Sequence, residues 1–284
     1  MSGTLYLCAT PIGNLEDITL RVLRVLKEAD LIACEDTRHS RVLLSHYDIH
    51  TPVTSYHQHN RVQKAGELIE KLASGLNIAL ITDAGTPIIS DPGDVLVQRC
   101  YENGIRVTSV PGPCAGITAL TLSGIDSGRF AFYGFLPVKG RERKELLADL
   151  KSEKMPVELY EAPHKLKKTL ADLYAVLGDR SIVILRELTK VHEERMKCSL
   201  SEAVSYYDTT EPKGEFVLII EPAPEEEIRR EEDSVFAEIP LIGQLQEYMA
   251  AGMDKKSAMK QIAKERHMSR RDVYQAVLEA EAEE

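Results

Sequence analysis

The residues best suited to chemistry in this chain lie just beyond hydrophobic runs. Three Gly/Pro turns stand there: Ala9-Thr10-Pro11-Ile12-Gly13-Asn14, Asp83-Ala84-Gly85-Thr86-Pro87 and Pro111-Gly112-Pro113. Gly and Pro at such points let the backbone come close to a small molecule. Glu35-Asp36-Thr37-Arg38-His39-Ser40 follows a further run and brings carboxylate, guanidinium and imidazole groups toward the same place. Asp36 or Thr37 can also cap the next helix, and a capping role is compatible with a functional one. Glu161-Ala162-Pro163-His164 and Arg186-Glu187-Leu188-Thr189-Lys190 end two later runs. By themselves those two read as solvated strand-to-loop transitions.

Among the elements that hold these groups, the first half alternates short apolar runs with amphipathic stretches. That is the pattern of βαβ units and a parallel sheet, whose ligand crevice lies beyond the carboxyl ends of the strands. Strands are expected near 4–9, 30–35, 78–83 and 105–110. Helical spacing recurs in Ile18, Val22, Leu23 and Leu26, and again in Ala65, Leu68, Ile69 and Leu72. Asp91-Pro92 reads as the cap and first residue of a helix through Val95, Leu96 and Cys100. Runs at 130–133, 157–160, 181–185 and 214–220, with a helix from Leu166 to Leu177, predict a second α/β domain, with 123–128 as a hinge. Pro222 and Pro224 precede a dense charge run, and residues 225–239 read as a solvated linker. Residues 240–284 read as helical. Asp254 is positioned to cap one helix and Ser269-Arg270-Arg271-Asp272 to start another, the outline of a helix-turn-helix. The expected organisation is 1–122, 123–224, linker 225–239 and helical 240–284.

A length of 284 residues suits about two domains, or one barrel. The five cysteines are scattered and never in a CxxC pair, which argues against a disulfide framework or zinc ribbon and fits a reducing cytoplasm. The N-terminus enters a strand without the regions of a signal peptide, and no apolar run is long enough to cross a bilayer. No two glycines stand two residues apart, so GxGxxG is absent, as are GxxxxGK[ST], GxSxG and HExxH. These absences disfavour a dinucleotide oxidoreductase and a P-loop NTPase. His57-Gln58-His59 lacks a third nearby ligand and reads as a polar loop, so no metal is expected. Cys8 and Cys114 read as packing residues, since a thiol nucleophile needs a base partner. Net charge is −10, so contact with a polyanion must use local patches. One lies between Asp254 and Tyr274, where seven Lys/Arg face three acids. Another is Lys139-Gly140-Arg141-Glu142-Arg143-Lys144.

Taken together, Thr10-Pro11-Ile12-Gly13-Asn14-Leu15, Cys34-Glu35-Asp36-Thr37-Arg38, Thr82-Asp83-Ala84-Gly85-Thr86-Pro87, Asp91-Pro92-Gly93, Val110-Pro111-Gly112-Pro113, Tyr160-Glu161-Ala162-Pro163-His164 and Arg186-Glu187-Leu188-Thr189-Lys190 resemble the tetrapyrrole-methylase superfamily over roughly residues 4–222. Within it they are similar to the branch that methylates the 2′-hydroxyl of a cytidine in 16S rRNA. The resemblance implies a cytoplasmic homodimer of two α/β domains that binds S-adenosyl-L-methionine in the cleft between them and acts on the 30S subunit. Thr86 stands where many relatives carry an acid, so no carboxylate role is carried over to it. By analogy, Pro11, Gly85, Thr86, Pro87, Ile89, Cys114 and Ala115 hold the donor from the first domain. Ala162, Leu188, Gly214, Glu215 and Phe216 hold it from the second. A ribose hydroxyl benefits from a positioned base, and position and chemistry offer Asp36, His39 and Lys190. Arg38 suits a phosphate. Lys139, Arg141, Arg143 and Lys144, with Lys255, Lys256, Arg270 and Arg271, are the expected RNA contacts. The rival expectations are methylation of a tetrapyrrole precursor and a nucleic-acid-binding regulator with a ligand-sensing α/β body.

Overall fold

The computed structural model describes residues 2–126, 128–224, 240–266 and 268–283. The charged linker at 225–239, together with Ser127 of the expected hinge and His267 of the expected turn, lies outside the described residues. Two compact units are present, Met1–Pro222 and Ala223–Glu284, and each is described by itself.

The first unit begins with strands β1 (Thr4–Cys8), β2 (Leu31–Cys34), β3 (Val53–Ser55), β4 (Ile78–Leu80) and β5 (Arg106–Val110). They form a parallel sheet in the order β3-β2-β4-β1-β5. All three residues of β4 are buried, as expected for a strand covered on both faces. Helices α1 (Leu20–Glu28) and α2 (Thr37–His46) cover one face, where Val22, Leu26 and Leu44 meet Cys8, Ile32 and Ile81. Helices α3 (Arg61–Ala73) and α4 (Asp94–Glu102) cover the other, with Leu68, Leu72 and Leu96 against Leu5, Ile78 and Leu80. Helix α4 begins later than expected. Its N-cap is Gly93, at φ 153, and not Asp91. The backbone after β4 is not yet helical there, with Ile88 and Ser90 both at positive φ.

Helix α5 (Ala115–Ser123) leads into the second sheet, formed by β6 (Ala131–Phe135), β7 (Val157–Glu161), β8 (Ser181–Arg186), β9 (Glu194–Ser199) and β10 (Phe216–Ile220). The order is β6-β7-β10-β8-β9, parallel only between β6 and β7. Strand β10 is buried throughout and alternates with period two. Phe216, Leu218 and Ile220 face α6 (Arg141–Lys151), α7 (Pro163–Leu177) and α8 (Leu200–Thr209). Val217 and Ile219 face Ala119 and Leu120 of α5 and Ile12 of the loop after β1. The last helix of the first lobe and one of its ligand-side loops therefore roof the second sheet, which fixes the two lobes within one unit.

The second unit contains α9 (Leu241–Ala250), α10 (Lys255–Glu265) and α11 (Arg270–Glu283). Leu245, Ala258, Ile262, Val273 and Val277 form its core. Asp254 caps α10 through the amides of Lys256 and Ser257, and the Ser269 hydroxyl accepts from the Asp272 amide at the start of α11. The helix-turn-helix outline thus rests on two side-chain caps.

Candidate active site

The turns that end β1, β4 and β5 are tied to one another. Thr10 and Gly85 exchange both backbone hydrogen bonds, at 2.9 and 3.0 Å, and the Thr86 hydroxyl donates to the Pro113 carbonyl at 2.9 Å. Gly85 adopts φ 80, in the left-handed region that favours glycine. Gly13 is needed for a different reason. A Cβ there would stand 2.5 Å from Lys190 Cγ and 2.7 Å from the Leu188 carbonyl oxygen, so the loop after β1 lies directly against the loop after β8.

Between these loops opens a cleft of about 600 Å³, the size of a small-molecule site. Its walls come from both lobes. Of the residues expected to hold a donor, Gly85, Thr86, Ile89, Cys114, Ala115, Ala162, Leu188, Glu215 and Phe216 line it. Pro11, Pro87 and Gly214 belong to the same turns but lie outside the lining. Gly214, at φ 86, backs the Glu187 carboxylate, which a Cβ would meet at 2.5 Å.

Six further lining residues stand in the motifs of the sequence but were given no role in the site there, and a seventh, Phe135, carried no signal in it. Glu35, Asp83, Asp91, Phe135, Tyr160, Glu161 and His164 all face the cleft. The Tyr160 hydroxyl accepts from the Gly116 amide at 2.9 Å, which ties β7 to the first turn of α5. Phe132 and Phe135 pack edge-on against its ring. Burial, with smaller contributions from Cys114 and Glu158, raises the Tyr160 phenol. Glu161 is held on both oxygens, by its neighbour's amide at Ala162 and by the Thr169 hydroxyl. Behind the wall sits Glu158, with 1% exposure and no hydrogen-bond partner on either carboxyl oxygen. A Cβ at Gly116 would collide with it.

Electrostatics differ along the cleft. Glu35, Asp83 and Asp91 follow β2 and β4, neighbours in the sheet. Burial, then the charges of Glu35 and Asp83, pushes the Asp91 carboxyl up to about 7. Glu35 is raised by burial and by Asp83, with His57 opposing. The donor set is therefore rich in carboxylates, with apolar walls at Ile12, Ile89, Leu188 and Phe216.

Two of the three expected catalytic residues, Asp36 and Lys190, border the cleft through hydrogen bonds to the lining residues Asp83 and Glu215. Asp36 caps α2 by accepting from the Arg38 amide, and its other oxygen pairs with the Arg38 guanidinium at 3.0 Å. Those hydrogen bonds hold its carboxyl at about 2. His39 is exposed, and Lys190 bridges Glu187 and Glu215, both at 2.8 Å. None of the three lines the cleft, although Glu215, the partner of Lys190, does.

Among the expected RNA contacts, Arg38, Lys139, Arg141 and Lys144 are exposed in the first unit, as are Lys256, Arg270 and Arg271 in the second, while Lys255 is half-buried. Arg143 points inward instead. It is 6% exposed, and its guanidinium is held by Asp172, the Pro137 carbonyl and the Thr169 hydroxyl. Its place on the buried face of α6, in line with Leu147 and Leu150, explains this. Helix α10 and the turn to α11 also border a groove containing Lys260, Lys264 and Arg270 and no acid.

Two α/β lobes joined by one helix, with a cleft at the carboxyl ends of the first lobe's strands, define a fold shared with solved structures. A diphthine synthase crystal structure matches at TM-score 0.63 and 14% identity, over 78% of this chain and 90% of that one. Residues 4–204 match the family model for tetrapyrrole (corrin/porphyrin) methylases. The chain belongs to the tetrapyrrole methylase family. Similar relatives include proteins named ribosomal RNA small subunit methyltransferase I. One, from Synechocystis sp., is 48% identical over 99% of each chain; another, from Bacillus subtilis, is 43% identical over 96% of this chain and 94% of that one.

Proposed function

We propose that this enzyme transfers a methyl group from S-adenosyl-L-methionine to the 2′-hydroxyl of a cytidine in the 16S rRNA of the small ribosomal subunit. The observation that carries the reading is the near-full-length similarity to ribosomal RNA small subunit methyltransferase I, together with a two-lobed cleft of donor size. The 2′-hydroxyl and the cytidine follow from the resemblance in the loop motifs.

The lining suits this donor. The sulfonium and the amino group are cationic, and the cleft offers Glu35 and Asp83 from one lobe and Glu215 from the other. Ile12, Ile89, Leu188 and Phe216 offer apolar surface to an adenine. Gly85, Thr86, Ile89, Cys114 and Ala115 would hold the donor from the first lobe, and Ala162, Leu188, Glu215 and Phe216 from the second. Pro11, Pro87 and Gly214 shape the same turns. When bound, the donor supplies an activated methyl group on sulfur. The protein's part is to hold the acceptor in line with it, and such positioning can lower a barrier by roughly 7–11 kcal/mol.

RNA phosphates would meet Arg38, Lys139, Arg141 and Lys144 on the first unit, and Lys255, Lys256, Arg270 and Arg271 on the second. This reading leaves Arg143 out, because its guanidinium is engaged within the fold. A homodimer, the four-part division at residues 122, 224 and 239, and a cytoplasmic setting complete the proposal. No helix among the described residues is long and apolar enough to cross a membrane.

The test is to incubate the protein with labelled donor and small subunits lacking the modification, and then to map the label. Label on a cytidine ribose is expected. Label on a base, or none on RNA, rejects the reading.

A further inference from the structure

We propose that Asp91 is the general base of this transfer, taking the proton of the acceptor hydroxyl as the oxygen gains its methyl group. The assignment rests on the function proposed above and names the residue that performs its proton step.

The argument begins with the acidic and imidazole groups that line the cleft: Glu35, Asp83 and Asp91 from the first lobe, and Glu161, His164 and Glu215 from the second. Four are engaged or open to water. Glu161 has both oxygens occupied, and its Thr169 partner also holds buried Arg143. Glu215 is paired with Lys190. Asp83 Oδ1 accepts from the Asp36 amide at 3.3 Å. His164 is exposed at the start of α7. Among the described residues, no hydrogen bond or ion pair closes on Glu35 or Asp91.

The backbone then separates these two. Asp91 follows a segment in which Ile88 (φ 80) and Ser90 (φ 64) both occupy the left-handed region. That conformation is a genuine outlier for β-branched isoleucine. Such strain persists only where surrounding structure enforces it, and it gathers at active sites. Here it sets Ile89, Ser90 and Asp91 in succession on the cleft wall, with Ile89 among the residues assigned to the donor. Glu35, by contrast, simply continues from β2.

The setting also gives Asp91 the strength a base needs. Burial and the facing charges of Glu35 and Asp83 bring it to about 7, while His57, beyond β3, acts on Glu35. A carboxylate of that affinity for protons is a better base than an ordinary one and is still substantially ionised at neutral pH. The step balances. The donor's sulfur keeps the electron pair of its bond to the methyl carbon and becomes a neutral sulfide; the ribose oxygen gains that carbon; its proton passes to Asp91, which becomes a neutral acid and later releases the proton to water.

The experiment compares wild type, Asp91→Asn and Glu35→Gln on small subunits, with kcat measured against pH and donor affinity by calorimetry. Asp91→Asn should lower kcat about 100-fold or more, within the usual range for general-base loss. Its donor affinity should change by less than about tenfold, and the rise of rate with pH should disappear. Glu35→Gln should move that rise to lower pH, because a like charge facing Asp91 is gone. In the free protein, a side-chain carboxyl carbon signal that titrates near neutrality should be missing from Asp91→Asn. Activity of Asp91→Asn within about threefold of wild type overturns the assignment, as does a persisting rise with pH, or loss of that rise in Glu35→Gln instead. If Asp91→Asn does not fold, the direction of the Glu35→Gln shift decides. Wild type that puts no methyl on ribose defeats the proposed function itself, a result separate from any difference between variants.

Discussion

Replacing Glu158 by Gln should stabilise the protein above neutral pH, and much less in mild acid. The side chain is 1% exposed and neither oxygen has a hydrogen-bond partner. Burial carries its carboxyl from the usual 4.5 to about 7. Between those values the folded chain holds the proton and the unfolded chain does not, so stability falls as pH rises through the window. At about 1.4 kcal/mol for each tenfold change in affinity, the full effect is about 3 kcal/mol. Glutamine keeps the shape and cannot ionise, so this loss should vanish. The assay is urea unfolding of both proteins at about pH 5 and about pH 8. The stability difference should grow from about 1 kcal/mol or less at the lower pH to about 3 kcal/mol at the higher one, in favour of Glu158→Gln. A difference that stays constant with pH would refute the reasoning, since it would mean that a partner keeps Glu158 charged at little cost.

Other expectations follow from contacts already described. Gly13→Val should weaken donor binding more than tenfold in calorimetry, because its side chain would press the loop after β1 away from Leu188 and Lys190. Arg143→Ala should lower stability in urea by about 3 kcal/mol, the low end for a broken buried pair, since Asp172 retains some access to water. Lys256→Glu, on the exposed side of α10, should weaken RNA binding and flatten its salt dependence by about one counterion in a salt titration, and an unchanged slope removes Lys256 from the RNA contacts.

The fold was legible because its signals were redundant. Buried β4 and β10 read as continuous apolar runs, and α1, α3 and α7 showed their periods plainly. Strand β9 went unseen because it is an edge strand, and Glu194, Arg195 and Lys197 give it the composition of a loop. The site was legible as a set of turns but less so residue by residue. Six polar residues after β2 announced a polar strand end. The helix cap was legible at Asp36 or Thr37 and falls on Asp36, while the local geometry shows that Glu35 lines the cleft. Asp91 read as a helix cap, a role that Gly93 takes once Ile88 and Ser90 have bent the chain. Arg143 carried a usable clue that charge obscured, for it stands four and seven residues before Leu147 and Leu150 on one helical face.

Strand β10, at the middle of the second sheet, is also the last strand of its unit to be synthesised. Until it emerges, β7 and β8 have open edges and no neighbour between them, a state prone to mispairing. Phe216 and Val217 also complete the cleft wall. A nascent or truncated chain ending short of them would carry every loop of the first lobe and most of the opposite wall and still lack the closing apolar stretch, so a tight ligand site should appear only once β10 has been made.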